Sequence, residues 1–76
     1  MAIEYKKNQA VFSDVVSVDE AEPLLDWLQN KNSPKVDLSN CSHLHPANLQ
    51  VLIAAKIQIA VWPKDENLRA WLQTVL

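Results

Sequence analysis

The sequence predicts an α/β domain: a small mixed sheet of four strands with helices packed on it, in the element order ββαβαβα. Three observations carry this. Apolar and polar residues alternate over Ala2–Lys6 and Ile57–Trp62, the period of a half-buried strand. Apolar residues recur at helical spacing at Ala21, Leu24, Leu25 and Leu28, and again at Leu68, Trp71, Leu72 and Val75. Strand and helix patterns then alternate along the chain, which implies parallel strand pairs joined by right-handed crossovers.

The elements follow in order. Ile3 and Tyr5 share one face of a first strand, with Glu4 and Lys6 on the other. Lys7-Asn8 is a tight turn, and Gln9–Phe12 returns as the second strand of a hairpin. Ser17 with Glu20, or Asp19 with Glu22, offers a capping box for the first helix. Pro23 favours the later start, because proline is tolerated only in the first turn. Trp27 lies beside the apolar stripe, and Asn30–Pro34 ends the helix. Lys35–Ser39 reads as a third strand, with Asn40–His45 a loop or its frayed end. Pro46 suits the first turn of a second helix, since its missing N–H costs nothing there. That helix, Ala47–Lys56, is apolar almost all round and is expected to be buried on most sides. Pro63 ends the last strand, and Asp65 caps the last helix. Trp71 belongs to that helix's stripe and is expected in the core.

Composition excludes several classes. Seventy-six residues make one domain, 1–76, with a modest core. The net charge is -2 and no basic face is evident beyond Lys6-Lys7, so nucleic acid is not the expected partner. Glycine is absent, which removes the phosphate-cradling loops that need it. Turns with positive φ then fall to asparagine or aspartate, with Asn8, Asn30, Asn32 and Asn40 at suitable boundaries. A single cysteine forbids an internal disulfide, and with no signal peptide in view the chain is expected to be cytoplasmic. The longest apolar run is the five residues Val51–Ala55, so membrane insertion is not expected.

The informative stretch is Asp37-Leu38-Ser39-Asn40-Cys41-Ser42-His43-Leu44-His45-Pro46-Ala47-Asn48-Leu49-Gln50-Val51-Leu52. It resembles, without a gap, the signature D-L-S-G-V-x-x-[ILM]-D-[ST]-[SAT]-G-L-x-x-L-L of the STAS domain. That family includes the anti-sigma factor antagonists and the small STAS protein of bacterial lipid-transport complexes. The order of elements matches too, so the resemblance covers nearly the whole chain, as a compact variant. It implies a bacterial, regulatory, non-enzymatic module for signal transduction or complex assembly, without a cofactor. The implied partner is a protein: a regulatory kinase, an anti-sigma-type protein or a transporter subunit. The departures are specific. His45 and Pro46 stand where regulated members carry Asp-Ser or Asp-Thr, and Pro46 has no hydroxyl to phosphorylate. Asn48 replaces the usual glycine.

The expected docking surface is the loop and helix start at Cys41, His43, His45, Pro46, Ala47 and Asn48, where a helix N-terminus exposes unpaired N–H groups. Trp62, at a strand end, is the tryptophan expected to add a contact. Two readings compete. Cys41, His43 and His45 could hold a metal or support thiol chemistry, but alternate positions on a strand lie almost 7 Å apart and do not converge on one ion. Cys41 also aligns with an apolar position that should point inward. The acidic residues Asp14, Asp19, Glu20, Glu22 and Asp26 read as caps and a solvated face rather than an acid–base pair. The remaining reading is a structural subunit whose uncovered apolar surface makes a homodimer.

Overall fold

The structure, a computed structural model, describes residues 2–76. Its elements are β1 (Ile3–Tyr5), β2 (Gln9–Val16), a 3-10 turn (Val18–Glu20), α1 (Ala21–Gln29), β3 (Lys35–Leu44), α2 (Pro46–Ala55), β4 (Gln58–Val61) and α3 (Glu66–Val75). The α/β class and the order ββαβαβα are as the patterning predicts. The four strands lie in the order β1-β2-β3-β4. β1 and β2 form the antiparallel hairpin; β2–β3 and β3–β4 are parallel.

This topology fixes which face is covered. The strands advance in one direction across the sheet, and right-handed crossovers in one direction land on one face. Accordingly α1 and α2 pack on each other, and one core joins Leu24, Leu28, Leu49, Leu52, Leu68 and Leu72 of the helices to the strands. The strand contribution comes from one parity: Ile3 pairs with Phe12, and Ala10 with Val36, all buried. The other parity carries Glu4–Val11–Asp37 and Gln9–Lys35–Gln58 as cross-strand rows, none of them in the core. A sheet with one packed and one solvated face alternates in this way.

Several boundaries differ from expectation for local reasons. β2 runs on past Phe12 and β3 past Ser39, because residues 13–16 pair with residues 40–44 in parallel. Two register shifts, between Val11 and Ser13 and between Asp14 and Val15, let this pairing continue, and alternation fails there. Asp14 sits at the second shift with φ 54°. The other positive φ values fall on Ser33 and Lys56 rather than on the four asparagines expected. Lys56 closes α2 in the left-handed conformation, the place glycine would usually take.

Neither expected capping box forms. The residue before α1 is Glu20, and neither it nor Ser17 makes a side-chain cap bond. Glu20 turns inward instead, and its Oε1 accepts from the Ala2 amide at 3.4 Å. Asp65 does cap α3, accepting from the Leu68 amide at 2.9 Å. α2 is not buried all round: Asn48, Leu49 and Leu52 are, while Ile53 and Ala54 face outward. A helix covering one side of a four-stranded sheet has only one face to bury.

Candidate functional site

The carboxyl ends of β2 and β3 meet where Val16 pairs with Leu44. The His45 amide then donates to the Val16 carbonyl at 2.9 Å, and α2 begins. His45 is the N-cap. Its Nδ1 accepts from the Ala47 amide at 3.0 Å, so it uses an imidazole nitrogen where Ser or Asp would use oxygen. This bond requires the ring to be unprotonated at Nδ1. Pro46 occupies the first turn, exposed, and Ala47 is half-buried.

Asn48 holds this edge in place. Its side chain is fully buried, and Nδ2 donates to the carbonyls of Val16 at 3.3 Å and Ser17 at 2.7 Å. The start of α2 is thereby tied to the end of β2. The Val16 carbonyl, which also accepts from the His45 amide, and the Ser17 carbonyl, which also accepts from the Glu20 amide at 3.1 Å, each receive a second donor from this one side chain. Asn48 therefore supports the edge from beneath and offers nothing to a partner, contrary to the expectation that it is a contact residue.

Cys41 is also withdrawn from the surface. It is 2 % exposed, and its Sγ donates to the His43 carbonyl at 3.4 Å. Burial pushes the thiol up from 9.0 to about 11; the hydrogen bond to His43 opposes this, and Asp14 adds to it. A thiol held there is not a nucleophile at neutral pH. Cys41 is expected to react with a disulfide reagent at pH 7.5 only on unfolding, and a native-state rate equal to that in urea would contradict its burial. Because the folded group keeps its proton where the unfolded thiol has lost it, Cys41 also favours unfolding as pH rises from 9 to 11.

His43 is exposed and pairs across the ladder with Val15, itself 56 % exposed. The thiol in the core, the exposed imidazole and the capping imidazole do not converge. Among the described residues no group of three His, Cys, Asp or Glu is placed to hold a metal ion. Likewise Asp14, Asp19, Glu22 and Asp26 lie exposed, and Glu20 alone is buried.

One residue joins the edge that patterning placed elsewhere. Trp71 is 37 % exposed and lines a groove of about 430 Å³ with Ser42, His43, Pro46, Asp65 and Leu68. Leu68 and Leu72 centre the buried stripe of α3; Trp71 stands roughly 60° around from Leu68, at the stripe's margin. Its departure from the core is a correction, and that angular offset is the signal in the sequence. Trp62 is 38 % exposed as expected of a contact residue, but it does not line this groove. Trp27 packs against Tyr5 with ring centroids 5.3 Å apart, and Lys31 lies over its ring.

No helix of the described residues is long and apolar enough to cross a membrane. No protein-family model matches the chain, and no curated protein or solved structure resembles it at a significant level.

Proposed function

We propose that the chain is a non-catalytic protein–protein interaction module of STAS type, acting in the bacterial cytoplasm as a regulatory or complex-forming subunit. Its partner is a protein of the classes the resemblance implies: a regulatory kinase, an anti-sigma-type protein or a transporter subunit. The observation that carries this reading is the groove beside the start of α2, where exposed His43 and Pro46 face half-exposed Trp71. A tryptophan at the rim of an apolar groove is the type of residue that concentrates binding energy. His45 and Ala47 shape the edge, while Cys41 and Asn48 support it from the interior. Pro46 leaves the helix start without a hydroxyl, so docking there is constitutive rather than switched by phosphorylation at that position.

Affinity capture from bacterial lysate tests the reading. Wild type, the double variant His43→Glu/Trp71→Glu and the control Ser33→Glu, at the opposite end of the strands, are compared. Loss of a tryptophan anchor is worth about 2 kcal/mol or more, roughly 30-fold in affinity. A partner retained by wild type and control and depleted from the double variant is the expected result. Equal recovery by all three removes this edge as the docking surface.

A further inference from the structure

We propose that the chain also binds a second copy of itself through two different patches, the lysine-bearing β1–β2 turn of one copy seating in a carboxylate-ringed depression on α1 of the next. This contact does not involve the groove at His43 and Trp71.

The depression measures about 530 Å³ and is lined by Asp19, Glu22, Pro23, Leu25, Asp26 and Gln29. Pro23 and Leu25, the latter 37 % exposed, give it an apolar floor among three carboxylates. A helix N-terminus favours acidic residues in its first turn, which accounts for Glu22. Asp26 lies beyond that turn, so the macrodipole gives it no support.

The complement lies on the same molecule. Lys6 and Lys7 are exposed on the turn between β1 and β2. The Lys35 amide donates to the Asn8 carbonyl at 3.1 Å, which brings a third lysine to this turn. Asn8 Nδ2 donates to the Ser33 carbonyl at 3.2 Å, so the turn is tied down and loses little freedom on docking. Among the described residues Lys7 and Lys35 have no ion-pair partner. Among the described residues the one ion pair within 4.0 Å is Lys6 with Glu4, at 3.6 Å and exposed on both sides. A lysine laid into the depression places its methylene stem on Pro23 and Leu25 and its ammonium among the carboxylates.

The two patches differ, so the contact is heterologous. Each added copy keeps one free turn and one free depression, and association propagates. Because the attraction joins exposed charges, salt screens it.

The test is the solution mass by sedimentation and light scattering, at about 0.02 M and about 0.5 M salt. Wild type is expected to exceed the 8.6 kDa chain mass at low salt, increasingly with concentration, and to return to it at high salt. The variant Lys7→Ala/Lys35→Ala and the variant Glu22→Gln/Asp26→Asn, which remove charge without reversing it, each stay at chain mass. Mixed together they form a 1:1 dimer and nothing larger, because one retains the depression and the other the turn. Circular dichroism melts establish that both variants are folded; the positions altered are exposed. Wild type that stays at chain mass at low salt overturns the proposal whatever the variants do. So does association by either variant alone, or folded variants that fail to pair on mixing.

Discussion

Asn48→Asp lowers the stability of the domain by about 3–5 kcal/mol, the cost of an uncompensated buried charge. Asn48 is fully buried and spends both described hydrogen bonds of its amide on the carbonyls of Val16 and Ser17. A carboxylate of the same shape has no donor for either and sets its own oxygens against theirs. A chain of 76 residues has a total stability of about 4–11 kcal/mol, so the loss is a large share of it. At about 4–8 °C per kcal/mol, the midpoint of thermal unfolding falls by tens of degrees. Acid relieves part of the deficit, because a protonated carboxyl can donate once; burial raises the pKa of such a group. Asn48→Ala, which removes the two hydrogen bonds without adding charge, costs about 1–3 kcal/mol. Urea unfolding at neutral and acid pH checks all three statements. An aspartate variant within about 0.5 kcal/mol of wild type, the range of ordinary surface substitutions, would mean that α2 is not tied to β2 through this side chain.

Phe12→Ala costs about 3–5 kcal/mol, by lost transfer energy and the cavity left behind. Phe12 is fully buried, pairs with Ile3 of β1, and lies inside the first register shift of β2, between Val11 and Ser13. The pairings of Val11 with Asp37 and of Ser13 with Asn40 hold the backbone on both sides of it, which limits collapse around a void. The variant is expected to have a lower urea midpoint with an unchanged slope, or to be unfolded at 37 °C. A loss under about 1 kcal/mol would show that the sheet collapses around the void, and that the core is looser than close packing allows.

Much of this fold could be read from the chain because most of its elements obey a single period. Ile3 and Tyr5 alternate, Leu24 and Leu28 recur at one helical turn, and Pro23, Pro46 and Asp65 mark helix starts. What escaped reading is where a second interaction interrupts the period. β3 continues to Leu44 because β2 bends to follow it, and that bend depends on Asp14 adopting a left-handed conformation, which nothing in its own sequence neighbourhood demands. Glu20 looked like a capping residue and instead reaches Ala2, a partner 18 positions away. The proposed docking edge was legible in its segment and illegible in its depth. Spacing located His43, His45 and Pro46 together. Only the tertiary structure turns Cys41 and Asn48 inward and brings Trp71 across from another helix. Tryptophan at the margin of a stripe can fall on either side of the core boundary, and the packing of α3 on β3 decides it.

The reading of function rests on the groove at the start of α2 being the surface a partner occupies. Its sharpest test places a photo-crosslinking amino acid at position 43 in one preparation and at position 33, at the opposite end of the strands, in another. Both are irradiated in bacterial lysate and the adducts identified by mass spectrometry. One protein adduct formed from position 43 and absent from position 33 is the result expected of a docking edge at the carboxyl ends of β2 and β3. No adduct from position 43, or the same adducts from both positions, would contradict it.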